Sequence, residues 1–299
     1  MAVTIDNSAP VASEIRAKLN YHLDGGPEVY QLGTGSDMSR NEYDVADVRI
    51  KNLRGHESEF TLDEHGFQLL QDIGRIESSE PSYLREKFYA TIVPKILAAS
   101  GASEVVVASH VIRPNRVVRP QEQDTMPIKY AQRIHVDYSY DGARVNFLAK
   151  CPQFAERFEN SRWAVINWWQ PFQNSATRMP LALCDARSVA DEDYREIMTS
   201  RVIQKSFPGS AHMAELPDFA SWKVVKPQNP DAHKWYFAPD MQPDEALLIK
   251  IFDTSEDGVV RRTPHSAFES PLDHGPERTS IEFRCVAFWD DEPVNGSKH

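Results

Sequence analysis

The chain has 299 residues, 41% of them hydrophobic, enough to bury a sizeable core, and an all-β unit of this length is commonly one domain. Lys and Arg total 33 against 44 Asp and Glu, a net charge of −11, which leaves no electrostatic footprint for nucleic acid or an anionic membrane and points to a small-molecule substrate. Cys151, Cys184 and Cys285 show no C-x-x-C spacing, which argues against a disulfide framework and for a reducing, cytoplasmic setting; the first residues lack a signal-peptide apolar core, and no apolar run approaches the ~20 residues needed to span a bilayer.

In chain order, residues 11–21 carry Val11, Ile15 and Leu19 between charges, which predicts a short amphipathic helix. Val45–Lys51 alternates as a strand and ends at the turn signal Asn52-Leu53-Arg54-Gly55. Thr61-Leu62-Asp63-Glu64 reads as a helix start capped by Thr61. A stronger helix is expected from about Pro81 to Ser100, with Ser82 as cap, a stripe of Tyr83, Phe88, Ile92, Ile96 and Leu97, an internal Pro94 and Gly101 as its stop.

From Glu104 the texture turns to β: Glu104–Val111, Ile134–Tyr140, Trp163–Trp169, Ala246–Phe252 and Thr279–Trp289 read as strands. One helix is predicted among them, at about Asp191–Ile203 with Asp191 as cap. Proline-rich loops at Arg113–Ile128, Pro208–Pro230 and Asp253–Pro276 join them, and long loops of this kind are usually functional. The expected architecture is a single mainly-β domain over 1–299: helical N-terminal support over about 1–103, a double-stranded β-helix (jelly roll, cupin-like) core over about 104–290 with one inserted helix, and a tail over 291–299.

The chemistry-bearing stretch is Arg133-Ile134-His135-Val136-Asp137. On a strand, His135 and Asp137 project from one face, so an imidazole and a carboxylate can converge on one ion. A further histidine would complete a two-histidine, one-carboxylate face that suits Fe(II) and dioxygen. His212, His233, His265 and His274 are the later candidates. His265 stands out because Arg278-Thr279-Ser280 follows at the head of the last strong strand. Arg278 and Ser280 would place a guanidinium fork and a hydroxyl on one face, suited to the distal carboxylate of a dicarboxylate such as 2-oxoglutarate.

Taken together these segments resemble a known family. Leu19-Asn20-Tyr21, Thr61 to Phe67, Arg133 to Asp137, Pro180 to Ser188, Pro264 to Phe268 and Arg278 to Arg284 occur in the order found in Fe(II)/2-oxoglutarate-dependent oxygenases of the fungal hydroxylase/desaturase group, related to the cephem methoxylase component and gibberellin-desaturase-like proteins. The resemblance implies iron ligation by His135, Asp137 and His265, with the 2-oxoglutarate tail on Arg278 and Ser280. It also implies succinate and carbon dioxide as coproducts of O2-dependent oxidation of an unactivated C–H in a small secondary metabolite or amino acid derivative. Hydroxylation, desaturation and cyclisation all remain open, because one ligand set serves all three. In one departure, Gln170 of Trp169-Gln170-Pro171 stands where the family pattern has arginine, so a neutral amide replaces a charge there.

Other readings of the same residues are bland. His135 and Asp137 alone also read as a structural pair, and His265 alone as a loop histidine after a proline. Arg113, Arg116 and Arg119 read as a solvated loop stripe, and His274 as a turn residue. Gln170, Ile281 and Phe283 are substrate-side candidates, although Ile281 and Phe283 have the opposite strand parity to Arg278 and Ser280 and need a bulge to re-aim them. Two alternatives to the oxygenase stay open: a 2-oxoglutarate-independent iron oxidase on the same scaffold, with Arg278 and Ser280 on a substrate carboxylate, and a non-catalytic jelly-roll binding protein.

Overall fold

Alternation of buried and exposed side chains, period two, organises this chain almost from its start. The computed structural model describes residues 12–26, 28–32, 43–113, 130–201, 216–229 and 231–294. Its strands are β1 (Glu14–His22), β2 (Val29–Leu32), β3 (Tyr43–Asn52), β4 (Phe67–Leu70), β5 (Glu104–Arg113), β6 (His135–Val136), β7 (Ser161–Phe172), β8 (Leu181–Cys184), β9 (Tyr194–Arg201), β10 (Phe219–Val224), β11 (Trp235–Phe237), β12 (Ala246–Asp253), β13 (His265–Ala267) and β14 (Thr279–Pro293). They form a nine-stranded sheet in the order β1-β3-β11-β8-β13-β6-β10-β9-β2 and a five-stranded sheet in the order β4-β12-β7-β14-β5.

The two sheets face each other as a jelly roll. Trp163, Val165 and Trp169 of β7 and Leu247 and Ile249 of β12 pack in one core with Val136, Leu183 and Phe237 of the larger sheet. The alternate residues of the same strands feed a second core. Ile166 and Trp168 of β7 and Ile281, Phe283 and Cys285 of β14 pack there against Leu84, Phe88, Ile92 and Ile96. β7 is buried from Arg162 to Phe172 because both of its faces are covered. Each large apolar side chain buried this way contributes ~1.5–3 kcal/mol.

The helical layer over the smaller sheet comprises α1 (Pro81–Tyr83), a π turn at Leu84–Phe88 and α2 (Tyr89–Ser100). It matches the expected helix over 81–100 and ends at Gly101, whose φ of 69° places it in the left-handed region. Its start differs. Glu80 is the N-cap residue without a side-chain cap, and Pro81 holds the first helical position, so Ser82 caps nothing.

Other expectations are corrected. Residues 14–22 are strand β1, with Ile15, Ala17, Leu19 and Tyr21 buried in alternation and nine residues paired with β3. Val11, Ile15 and Leu19 recur every four residues, a spacing that fits a helix face and a strand face equally. Thr61 does accept from the Glu64 amide at 3.3 Å, but only a turn forms. Gly66, at φ 90°, ends it where a Cβ would lie 2.1 Å from Thr263 Oγ1.

The strand expected over 134–140 shrinks to β6, and α3 (Tyr140–Lys150) follows. Ser139 caps α3, accepting from Gly142 N at 3.0 Å, and a Cβ on Gly142 would meet Ala220 O at 1.9 Å. After it α4 (Ala155–Asn160) leads into β7. Over 191–203, Asp191–Asp193 is one 3-10 turn and Tyr194–Arg201 is β9. Pairing of β9 with β10 and β2 supplies the backbone hydrogen bonds that a helix would otherwise have to make internally. Strands β10 and β13 also lie inside segments expected to be loops, and the expected helical support over 1–103 supplies β1 to β4.

Candidate active site

β6 is only two residues long, but it is wedged between β13 and β10, with His135 opposite both His265 and Lys223. This register brings two residues far apart in sequence onto one inner face. His135, Asp137 and His265 each offer a ligand atom, and these atoms lie within 4.8 Å of one another. The imidazole centroids are 4.5 Å apart.

Both rings are oriented by main-chain carbonyls. His135 Nδ1 lies 2.8 Å from Arg133 O and His265 Nδ1 lies 3.0 Å from Thr263 O. A carbonyl only accepts, so each Nδ1 carries a hydrogen, which leaves Nε2 of each ring as the atom turned to the site. Burial, reinforced by the neighbouring His265, lowers the His135 pKa to about 3 against the opposing pull of Asp137. The ring is therefore neutral at physiological pH, as a metal ligand must be.

Asp137 is held from its other side. Its Oδ1 lies 3.6 Å from His135 Nε2, while Oδ2 accepts from Asn167 Nδ2 at 2.8 Å and lies 3.6 Å from Arg284 Nη2. Burial alone would raise the Asp137 pKa. Arg284, then His135 and His265, outweigh it and hold the carboxyl well below its ordinary range. Arg284 also pairs with Glu282 Oε1 at 3.0 Å. Two imidazoles and one carboxylate make a donor set that fits Fe(II).

The facing wall comes from β14, where alternate residues point inward. Arg278 Nε donates to Met179 O at 2.5 Å and Nη1 to Ser280 Oγ at 2.7 Å. The guanidinium stacks over Tyr130 at 4.3 Å and Trp169 at 4.9 Å. Tyr130 in turn donates to Arg278 O at 2.7 Å. Arg278 is 2% exposed, and no carboxylate pairs with it among the described residues. Burial therefore pulls its pKa down to about 10. A buried guanidinium in this position could hold an anionic group such as a carboxylate. Arg113 stands opposite Ser280 on β5, and burial first, then the charge of Arg284, lowers its pKa against the pull of Glu282.

Similarity to known proteins agrees with this arrangement. A family model described as an oxidoreductase/YMDC permease-like domain matches residues 19–288. The hydroxylase/desaturase CTB9 of Cercospora beticola is 35% identical over 97% of this chain and 91% of its own length. The chain belongs to the hydroxylase/desaturase family of Fe(II)/2-oxoglutarate oxygenases. The hydroxylase/desaturase efuI of Hormonema carpetanum is 34% identical over 93% of this chain and 96% of its own length. The solved structure of the iron and alpha-ketoglutarate-dependent endoperoxidase NvfI superposes with a TM-score of 0.74 at 20% identity, covering 93% of this chain and 99% of that one. At that identity the likeness speaks for the jelly-roll fold.

Three residues expected on the substrate side of this oxygenase lie elsewhere. Gln170 shares its parity with Trp168 and faces the helical layer. It is 0% exposed, accepts from Trp168 Nε1 at 2.8 Å, and donates to Gly74 O at 2.9 Å and Pro243 O at 2.7 Å. All of its amide valence is thus spent on structure. Ile281 and Phe283 are in the same layer, with Phe283 against Phe88 and Tyr89. The β14 register shift falls at Arg284/Cys285, beyond them, and does not turn them inward.

Of the other histidine candidates, His233 is buried between Tyr21 OH and Asp193 Oδ2, each 3.1 Å away, and His274 is exposed. Arg113 is the last residue of β5 and not part of a solvated loop. Arg116, Arg119 and His212 lie outside the described residues.

Sequence reasoning missed Asn167, Glu282 and Arg284. A signal for all three existed. Glu282 and Arg284 continue the inward parity of Arg278 and Ser280, and Asn167 is the lone polar residue between Trp163 and Trp169.

Proposed function

We propose that the whole chain acts as one oxygenase domain that holds Fe(II) on His135, Asp137 and His265 and the distal carboxylate of 2-oxoglutarate on Arg278 and Ser280. The observation that carries the reading is the convergence of ligand atoms from His135, Asp137 and His265 within 4.8 Å, with a buried guanidinium on the facing wall that no carboxylate neutralises among the described residues. Once bound, the iron and 2-oxoglutarate supply dioxygen activation, with succinate and carbon dioxide as coproducts. The protein's own contribution is placement. Main-chain carbonyls fix both imidazole tautomers, and Arg278 and Ser280 would grip the carboxylate with charge-assisted hydrogen bonds. Tyr130 and Trp169 close the guanidinium off from water.

The substrate is a small secondary metabolite or amino acid derivative oxidised at an unactivated C–H by hydroxylation, desaturation or ring closure. The relatives named hydroxylase/desaturase support that class, and the net charge of −11 opposes polyanionic partners such as nucleic acid or an anionic membrane. Among the described residues no helix is long and apolar enough to cross a membrane. The three cysteines are free and buried, which supports a cytoplasmic setting.

An anaerobic absorption spectrum with Fe(II) and 2-oxoglutarate tests the site. A visible charge-transfer band should appear, and it should vanish in Asp137→Ala. Succinate release on a substrate panel then tests the activity. Product formed without added 2-oxoglutarate would redirect the reading to a 2-oxoglutarate-independent oxidase.

A further inference from the structure

The Asp137 carboxylate has two oxygens in unlike surroundings, and the difference comes from β7 and β14. Oδ2 is occupied by Asn167 Nδ2 at 2.8 Å and faces Arg284 Nη2 at 3.6 Å. Oδ1 is left beside His135 Nε2 at 3.6 Å. Asn167 and Arg284 are a register pair on adjacent strands, so the two donors reach the carboxylate from one rigid sheet rather than from a loop.

Asn167 has a second peculiarity. It is fully buried, yet its Oδ1 has no hydrogen-bond partner among the described residues. An ionised carboxylate can only accept, so the amide must turn its nitrogen to Asp137 and leave its oxygen unmatched. Packing alone would favour an apolar residue in this run of tryptophans and aliphatics. Arg284 is likewise committed: it bridges Asp137 and Glu282 and lies 5.8 Å over the Tyr138 ring. The irregularity in the pairing of β14 with β5 falls on β5, where Ala108 is left out between Ser109 and Val107, so β14 keeps its alternation and Arg284 stays on the inward face.

We infer that Asn167 and Arg284 are positioning residues that clamp Oδ2 of Asp137 and thereby present Oδ1 alone to the metal. This rests on the reading of His135, Asp137 and His265 as the metal face. The clamp keeps the carboxylate from swinging to offer both oxygens, so that coordination positions stay free for 2-oxoglutarate and dioxygen. Arg284 also lies between the carboxylates of Asp137 and Glu282, at 3.6 and 3.0 Å.

The test uses Co(II) as an absorbing stand-in for iron, with affinity measured by calorimetry and ligand geometry by the d–d spectrum. Wild type should bind one Co(II), and Asp137→Ala should not; if Asp137→Ala binds as wild type does, the metal face itself is misassigned. Given a sound metal face, Asn167→Ala should weaken Co(II) binding by roughly 10- to 100-fold, as loss of an outer partner of a ligand does. It should also change the d–d spectrum while leaving the metal-free melting temperature near wild type. Asn167→Ser, which keeps a donor, should recover part of the affinity. Arg284→Lys should weaken binding less than Arg284→Ala. Ser109→Ala, on the neighbouring strand opposite Arg284, serves as the control and should alter neither readout. Unchanged Co(II) affinity and spectrum in Asn167→Ala would overturn the inference. So would affinity losses that merely track melting temperature across the variants.

Discussion

The two faces of β14 are one residue apart in sequence and serve opposite purposes. Inward, the strand presents Arg278, Ser280, Glu282 and Arg284, with the guanidinium of Arg284 tied to Asp137. Outward, Ile281, Phe283, Cys285 and Ala287 are buried against the helical layer. Glu282 and Arg284 on the inward face are partly exposed, and only the outward face is a core in the energetic sense. Burying the charged face opposes folding, because ions leave water and regain only part of their solvation from partners. The apolar face, with its counterpart on β7, offsets that cost. The enzyme thus stores its chemistry on one side of a strand and its stability on the other.

The sharpest way to break this division is through the inner face. Asp137→Ala should cut succinate formation on the order of 10³-fold or more, about 4 kcal/mol of barrier, while the metal-free protein still folds. A collapse of the melting temperature instead would show that the inner face carries stability after all. Phe283→Ala should do the reverse. It is expected to cost about 3–5 kcal/mol in urea unfolding, as large-to-small core changes do, with Co(II) and 2-oxoglutarate affinities unchanged in the folded protein.

Arg278→Ala should weaken 2-oxoglutarate binding roughly 10- to 150-fold, matching the 1.5–3 kcal/mol of a hydrogen bond to a charged group. Its cost to metal-free stability should be smaller than that of Phe283→Ala, because relief of a buried charge with no carboxylate partner among the described residues offsets the loss of its bonds to Met179 O and Ser280 Oγ. A calorimetric titration beside a thermal melt separates the two effects. Smallest of the four, Gln170→Ala should cost about 1–3 kcal/mol of stability, since it strands Trp168 Nε1 and two carbonyls. The KM for 2-oxoglutarate and for substrate should stay at the wild-type value. A changed KM with unchanged stability would return Gln170 to the substrate side.

Much of this division is legible without coordinates, and where it is not, the reason is physical. The alternation of β14 separates Arg278 and Ser280 from Ile281 and Phe283, and the H-x-D of His135 and Asp137 marks the proposed metal face. An apolar spacing of four makes residues 11–21 fit helix and strand alike, the cap signal at Asp191 opens only a 3-10 turn, and pairing with distant strands settles both. α3 escaped notice because its determinants are a serine cap and a glycine pressed on Ala220, neither of which disturbs the apolar pattern. Gln170 was misplaced because family likeness suggests a role, while the parity it shares with Trp168 decides its side.

By itself, the sequence determined the chemical kinds available: imidazoles, carboxylates and guanidiniums on strands whose alternation says which residues travel together. Tertiary structure alone decided which of them meet. His135 lies opposite His265 only because two short strands of the larger sheet come into register. Asn167 and Arg284 reach Asp137 only because the smaller sheet faces it. Strand parity is local and can be read from neighbouring residues. The contact between sheets depends on pairing across long stretches of chain, where the free energy is set by the whole core and not by any one segment.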